Sequence, residues 1–429
     1  MKHGKFAVVL LVVAIVAATA AGLGYLAVTI DATTGDESVD EAIVPGDETV
    51  EPIHDAGTTG ENVSVGVIDV TGFDLEHRAL EDRVAGEASF GTDAAAVDSG
   101  DRHGTSAAVT VAGTAPDASL YLATFETADD YAAAVEWLLD EDVDVIVAPV
   151  SDAGTLGDGT SSIAEATTEA TERGTVVVAP AGNLGDAHWR GEYDPDENGV
   201  HIFDEGPLND VTGPPGQGEF HLAWNDPDRD YRLELHRVRD DGTTELVAQS
   251  LSRENGNVSS ERLTARLADD RYALVVRGPE RRTDTRIRVA SSTHSLSAVR
   301  ASGSVVDPAA APGTISVGSV DATSDEVERY SSRGPTADGR LGVHVVAPST
   351  HSVPGHPPFE GTSASAAYVG GVAALVVDAD PDLKPDEVRW TIASTADPVD
   401  GVDAGSGHGA VDPVAAVSAA SADAEDEST

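Results

Sequence analysis

The sequence predicts an α/β fold, a doubly wound parallel sheet flanked by helices, that carries an inserted antiparallel β-sandwich-like domain. Three observations predict it. Short β-branched runs alternate with Ala-rich helical stretches over the first part of the chain, an Arg-rich segment with alternating apolar and polar residues follows, and the first pattern resumes near residue 314. A segment of different pattern between two similar halves indicates an insertion.

The first half shows the parallel-sheet pattern directly. Predicted strands at 63–68, 119–125, 143–150 and 175–179 are almost wholly apolar, and residues 128–140 form an amphipathic helical pattern. Strands that are apolar on both faces are typical of a parallel sheet covered by helices on each side. Functional side chains are then expected at the carboxyl ends of the strands.

The segment from about 191 to 295 has the period of two expected for antiparallel strands. Residues 231–235 and 272–276 alternate, and the turn-forming runs 225–228 and 240–242 separate such segments. This pattern predicts a separate β domain.

These patterns divide the chain into six parts. They are an export segment, 1–30; an acidic linker, 31–50; the first part of the α/β domain, 51–190; the inserted β domain, 191–295; the second part of the α/β domain, 296–418; and a disordered acidic tail, 419–429.

The charge balance excludes nucleic acid as a partner. The 429 residues include 75 Asp and Glu against 26 Lys and Arg, for a formal net charge of -49, so a polyanion would be repelled. The acids are spread along the whole chain, and lysine occurs only at Lys2, Lys5 and Lys384. This pattern resembles that of salt-in halophile proteins, with an ordinary acidic secreted protein as the alternative.

The N-terminus predicts export. An uncharged, mostly apolar run covers residues 6–30 behind Lys2 and Lys5, and as a helix it would extend about 37 Å, enough to span a bilayer core of about 30 Å. A small-residue site at 18–20 allows cleavage instead. The predicted location is the extracellular face of the membrane, or secreted if the segment is cleaved. Cysteine is absent, which excludes disulfides and thiolate chemistry.

Four polar residues follow predicted strands or open predicted helices. Asp69 ends the first strand, His103 opens an Ala-rich helix, Asn183 follows the strand at 175–179, and Ser363 begins the last long helix. Taken singly, each is equally a turn former or a helix cap. Together they form a nucleophile, a base, a carboxylate to orient the base and a donor for an oxyanion.

With these motifs, and with the segment 330–336, the chain resembles the subtilisin-like serine proteases, whose order of Asp, His and Ser it follows. The resemblance implies a serine endopeptidase that acts on proteins or peptides, with Ser363 as nucleophile, His103 as general base, Asp69 orienting it and Asn183 in the oxyanion hole. It implies no cofactor for the chemistry. Structural Ca²⁺ is common among such proteins, but no ligand spacing here assigns a site.

The sequence departs from the family pattern at several points. One additional residue, Val70, enters the motif around Asp69, Ser106 stands where a second histidine is common, and residues 367–368 replace the usual Pro-His pair. None of these changes removes a proton-transfer group.

The segment 148–151 departs further, because it occupies the strand that pairs with substrate backbone in the family. Pro149 removes one backbone donor, and Ser151 in place of Gly narrows the groove. These changes leave open an alternative, a catalytically weak or inactive subtilisin-like surface protein that binds peptides. The physiological substrate and the oligomeric state are not determined by the sequence.

Overall fold

The computed structural model describes residues 47–91, 102–255, 258–324, 326–399 and 403–427. The predicted export segment, 1–30, and most of the acidic linker lie outside these residues.

Helices and strands alternate along most of the described chain. The helices are α1 (Asp47–Asp55), α2 (Arg102–Thr114), α3 (Ala128–Asp140), α4 (Ser162–Glu172), α5 (Thr362–Ala379), α6 (Pro385–Ser394) and α7 (Pro413–Glu427). The strands are β1 (Ser64–Asp69), β2 (Val84–Ser89), β3 (Ser119–Thr124), β4 (Val145–Val147), β5 (Val176–Pro180), β6 (His188–Glu192), β7 (Asn209–Thr212), β8 (Gly216–Trp224), β9 (Arg232–Val238), β10 (Thr244–Gln249), β11 (Leu251–Asn255), β12 (Val258–Leu267), β13 (Tyr272–Arg277), β14 (Arg286–Ser291), β15 (Ser295–Leu296), β16 (Ile315–Val320), β17 (Val345–Pro348), β18 (Thr350–His351) and β19 (Phe359–Glu360).

The central sheet confirms the predicted fold class. Its seven strands lie in the order β17-β16-β5-β4-β1-β3-β2, and every neighbouring pair is parallel. Helices α2 and α5 pack on one face, and α3 and α4 cover the other. Helix α3 coincides with the predicted 128–140, and a reciprocal capping box between Thr127 and Asp130 fixes its start.

The antiparallel segment forms two five-stranded sheets. We call β10-β9-β13-β7-β15 the distal sheet and β11-β12-β8-β14-β6 the proximal sheet. Large apolar side chains from both sheets form one core, which includes Phe220, Trp224, Leu235, Leu274 and Val289. The strands run from residue 188 to residue 296, and the limits 191–295 of an independent domain stay a prediction.

The proximal sheet is buried on its second face as well. Ala223, Arg288 and Ala290 alternate with the core residues of β8 and β14, yet each is at most 1% exposed. Ala223 packs against Leu156, and Ala290 belongs to an apolar cluster with Ala153. This face therefore lies against the α/β domain, on residues that follow β4.

Two predictions at the chain ends were wrong. Residues 47–50, assigned to the linker, begin α1, because Val50 and Ile53 lie three residues apart and both enter the core. Residues 419–427, expected to be disordered, continue α7. This stretch is Ala-rich, a strong helix former, and Ala416 and Ala420 are fully buried one turn apart.

Within the described ranges, α5 alone is long and apolar enough to cross a membrane, but 83% of its apolar window is buried. It is the central helix of the α/β domain, and it packs against α2 and the sheet.

Candidate active site

The sheet brings three of the relevant segments to one edge, because parallel strands present their carboxyl ends together. Strand β1 ends at Asp69, the segment 148–150 follows β4, and Asn183 comes shortly after β5. β1, β4 and β5 are adjacent strands of the sheet. The N-terminal ends of α2 and α5 supply His103 and Ser363, and the two helices contact each other.

Asp69 and His103 are joined by a side-chain hydrogen bond. His103 Nδ1 lies 2.7 Å from Asp69 Oδ2, the Asp69 carboxylate is fully buried, and the imidazole is about one-fifth exposed. With Nδ1–H donating to the carboxylate, the other ring nitrogen, Nε2, is the site that accepts a proton. The imidazole thus has the orientation required of a general base that a carboxylate holds in place.

Thr71 holds the other carboxylate oxygen. Its backbone N and its hydroxyl donate to Asp69 Oδ1 at 2.9 and 2.7 Å, and the same hydroxyl accepts from the backbone N of Gly104 at 3.0 Å. Val70 therefore lengthens the loop without releasing the carboxylate. The sequence-based prediction missed Thr71, although a hydroxyl two residues after a strand-end Asp is a recognisable Asx-type turn.

Close backbone approach explains Gly104, the residue after His103. A Cβ at this position would lie 2.3 Å from the carbonyl oxygen of Gly72. Any side chain would therefore push the start of α2 away from the Asp69 loop.

Ser363 is the second residue of α5 and is 9% exposed. Its hydroxyl donates to the carbonyl oxygen of Pro149 at 2.9 Å. Pro149 thus lies at the site. The sequence drew attention to the backbone N–H that a proline lacks, whereas the contact in the structure is made by the Pro149 carbonyl oxygen. Helix α5 also directs its positive dipole end towards this region.

The start of α5 adjoins His103 through an aromatic contact. The ring of Phe359, four residues before Ser363, meets the His103 ring edge-on, with centroids 5.2 Å apart. No pattern in the sequence predicts this contact, because Phe359 is a single aromatic residue outside any motif.

Asn183 is anchored beside Ser363. Its Oδ1 accepts from the backbone N and the hydroxyl of Thr362 at 3.1 and 2.8 Å. The Nδ2 group is then the donor side of the amide. A Cβ on Gly361, which has φ of 98°, would lie 3.1 Å from Nδ2, so glycine there keeps the space around this donor open.

Two of the substituted family positions serve the fold. Tyr368 stacks on His351 with ring centroids 5.1 Å apart, and its hydroxyl bonds to Thr49 in α1. Ser106 is buried inside α2, and its carbonyl accepts from Thr110.

No group of three or more His, Asp or Glu side chains within the described ranges is arranged to hold a metal ion. Structural Ca²⁺ accordingly stays a prediction without an assigned site.

Comparison with known proteins gives a family match over most of the chain. The sequence model described as the Subtilase family matches residues 60–214 and 241–409. Mycosin-2 of Mycobacterium tuberculosis is 42% identical over 123 residues, which cover 24% of this chain and 21% of that protein. Bacillopeptidase F of Bacillus subtilis is 33% identical over 129 residues, which cover 27% of this chain and 9% of that protein. The chain thus aligns with at most about a fifth of the length of either relative.

Solved structures show the same fold. The Clostridium perfringens CspB protease superposes with a TM-score of 0.63 at 17% identity, over 87% of this chain and 97% of that one. MycP1 from Mycobacterium smegmatis superposes with a TM-score of 0.51 at 22% identity, over 90% and 87% of the two chains.

Proposed function

Because the chain belongs to the subtilase family, we propose that it is a serine endopeptidase that hydrolyses peptide bonds through an acyl-enzyme on Ser363. The observation that carries the proposal is the 2.7 Å contact between the buried Asp69 carboxylate and His103 Nδ1, at the edge of the sheet where the Ser363 hydroxyl bonds to Pro149. A carboxylate held by Thr71 on one oxygen and bonded to an imidazole on the other is suited to support a base.

The first step activates the nucleophile. The Ser363 hydroxyl turns from the Pro149 carbonyl to His103 Nε2, which takes its proton as Oγ attacks the substrate carbonyl carbon. Asp69 stabilises the imidazolium that forms. Breakdown of the tetrahedral intermediate returns that proton to the leaving amine, and water then repeats the sequence to release the acid.

The oxyanion has two candidate donors. One is the backbone N of Ser363 at the start of α5, and the other is Asn183 Nδ2, held in place because Oδ1 is engaged by Thr362. Such donors stabilise a developing negative charge more strongly in a partly buried site than in water, because the effective dielectric constant is lower there.

Proteolysis of casein and of a peptide library in molar KCl tests this proposal. Wild type should cleave both, and Ser363→Ala should not. Equal cleavage by the variant would remove Ser363 from the mechanism. Binding of peptides by wild type with no cleavage under any salt condition would favour the non-catalytic peptide-binding alternative.

We also infer that the protein acts outside the cell, held to the membrane by residues 6–30 or released after cleavage near 18–20. Fractionation of cells that express the full chain tests this, with N-terminal sequencing of the mature protein. An intact N-terminus in the membrane fraction supports the anchor, a new N-terminus near residue 21 in the medium supports secretion, and a cytoplasmic product contradicts both.

We infer, finally, that the fold depends on high salt. With 75 acidic and 26 basic residues, at least 49 carboxylates have no basic partner in one-to-one pairing. Molar salt shortens the screening length to about 3 Å, whereas it is about 10 Å at 0.1 M. A melting temperature that does not change between 0.1 M and molar KCl would contradict this inference.

A further inference from the structure

Arg288 is a buried charge outside the residues that perform the chemistry. It lies on β14 of the proximal sheet, on the face that meets the α/β domain, and is 1% exposed. Burial lowers the pKa of its guanidinium to about 10. An arginine this deeply buried is costly unless its donors are satisfied, and among the described residues both Nη atoms have acceptors while Nε has none.

The guanidinium joins two segments of the α/β domain. Nη1 donates to the carbonyl oxygen of Thr155 at 2.7 Å, and Nη2 donates to the carbonyl oxygen of Ser304 at 3.2 Å. These residues are 149 positions apart in the sequence. The planar fork of arginine suits two fixed acceptors in a way that the single ammonium of lysine does not.

Thr155 belongs to the loop that leaves the active site on one side. This loop, 152–157, begins three residues after Pro149, whose carbonyl accepts the Ser363 hydroxyl. Beside the Arg288 bond, Leu156 packs on Ala223 of the proximal sheet. The loop is thus held against the proximal sheet by its backbone and by an apolar side chain.

Ser304 belongs to the segment 304–306, which contacts the two residues that precede Asn183. Two residues later, Val306 donates its backbone N to the carbonyl oxygen of Ala181, and its side chain lies 2.9 Å from where a Cβ of Gly182 would be. Residues 181 and 182 lead directly into Asn183. Ser304 is therefore linked to the backbone that carries the oxyanion donor.

The two segments also approach each other closely at Gly157. A Cβ there would lie 2.2 Å from the carbonyl oxygen of Val305 and 3.3 Å from Arg288 Nη1. Gly157 has φ of 67°, so a side chain at this position would be strained as well as crowded. The spacing between the two segments is thus set where Arg288 binds them.

We propose that Arg288 is a positioning residue that fixes the spacing between loop 152–157 and segment 304–306, and through it the fit of extended peptide substrates. The proposal rests on the proposed peptidase function. It makes the inserted β domain part of the support of the active site, since a single side chain of the proximal sheet ties together the backbone on both sides of the site.

The test compares Arg288→Lys and Arg288→Gln with Arg286→Gln. Arg286 is on the same strand, two residues away, and is exposed, so its variant controls for loss of an arginine from β14. Steady-state kinetics use two substrates, an extended peptide and a short activated ester. For Arg288→Lys we expect KM for the extended peptide to rise about tenfold, with kcat and the ester kinetics changed less than about threefold. Arg286→Gln should match wild type.

A purely structural role predicts a different result. If Arg288→Lys and Arg288→Gln lower the melting temperature but leave KM for the extended peptide at the wild-type value, the proposal is wrong. Should neither variant fold, Leu156→Ala loosens the same loop without disturbing the buried charge, and it must show the same selective rise in KM.

Hydrogen exchange separates failure of this proposal from failure of the proposed function. Amides of residues 152–157 and 304–306 should exchange faster in Arg288→Lys than in wild type, whether or not the protein cleaves peptides. Unchanged exchange in both segments would overturn the positioning role. Faster exchange in a protein without peptidase activity would retain the positioning of the two segments and reject the function it was proposed to serve.

Discussion

The α/β domain and the inserted β domain place their polar residues differently. In the α/β domain, Asp69, Asn183 and Ser363 lie in strand-end loops or at a helix start. In the inserted domain, Arg288 lies in the middle of a strand, buried on a sheet face. In the proposed mechanism the first arrangement brings His103 and Ser363 to a substrate, and the second holds backbone in place without touching one.

The two sheets of the inserted domain differ in the same sense. The outer face of the distal sheet carries an ion-pair group that reaches solvent through Arg277, which is 39% exposed and contacts the buried Glu234 at 2.8 Å, as His236 does at 2.9 Å. The corresponding face of the proximal sheet is buried against the α/β domain. The sequence predicts burial on both faces for the central parallel sheet. The proximal sheet, although antiparallel, is also buried on both faces because it covers the α/β domain.

If this comparison is correct, substitutions at the strand ends should change kcat far more than stability, and substitutions at the domain interface should change stability or substrate fit while leaving kcat nearly unchanged. The largest effect is expected for His103→Ala, which removes the proposed general base. We expect kcat to fall on the order of 10⁶-fold with little change in the melting temperature. The control is His408→Gln, at a histidine that packs on Trp390 of α6, and it should retain activity.

The next effect concerns Asn183, the proposed oxyanion donor. Asn183→Asp keeps an acceptor for Thr362 but removes Nδ2–H and adds negative charge, so kcat should fall by at least about 10²- to 10³-fold while KM changes little. Thr362→Val removes one of the bonds that anchor Asn183 and should cost much less. Values of kcat within threefold of wild type for Asn183→Asp would exclude this side chain from the oxyanion hole.

A smaller effect is expected at Thr71. Thr71→Val removes the hydroxyl that bonds to Asp69 Oδ1 and to the Gly104 backbone, so Asp69 and His103 lose part of their alignment. We expect kcat to fall about tenfold, in line with loss of a hydrogen bond to a charged group. Thr71→Ser should restore activity. If Thr71→Val and Thr71→Ser have equal kcat, the hydroxyl does not support the carboxylate.

The smallest effect on kcat, and the largest on stability, is expected at Asp307, which follows the segment 304–306 that Arg288 binds. Burial raises the pKa of Asp307 to about 6, its Oδ2 accepts from Ser161, and Asp152, Asp158 and Arg288 are the charged groups that act on it. A carboxyl whose pKa is raised in the folded state binds its proton more tightly there than in the unfolded chain. Folding stability from this group is therefore greatest below about pH 4 and is lost as the pH rises through 6.

The size of this loss follows from the rise in the pKa of Asp307 from an ordinary 3.8 to about 6, which corresponds to about 3 kcal/mol. Asp307→Asn should gain that much relative to wild type between pH 4 and pH 7, as measured by denaturant unfolding at constant salt. A difference between the two proteins that does not depend on pH would show that Asp307 does not titrate as described.

The features that could be predicted from the sequence are those that depend on short stretches of the chain. Asp69, His103 and Ser363 stand in short motifs at the ends of regular elements, and the apolar pattern predicts those elements. Thr71 was missed because Val70 shifts it out of the expected place in the motif. Arg288 was missed for a different reason, since in an alternating strand it looks like any solvent-facing arginine, and its partners at Thr155 and Ser304 become neighbours only in the folded protein.

Chain ends were predicted least well. The acidic residues in 47–50 and 419–427 favoured a solvent-exposed linker and tail in the prediction. In the structure, Val50, Ala416 and Ala420 bury one side of each helix. A few small apolar residues one turn apart are enough to dock a helix when a large core is available.

The most direct test of the central claim is to locate the nucleophile chemically. Purified protein in molar KCl is treated with a fluorophosphonate, digested, and analysed by mass spectrometry. The adduct should map to Ser363, form more slowly in His103→Ala and as the pH is lowered, since a protonated imidazole accepts no proton, and be absent in Ser363→Ala. An adduct on another residue, or one that persists in Ser363→Ala, would contradict the assignment.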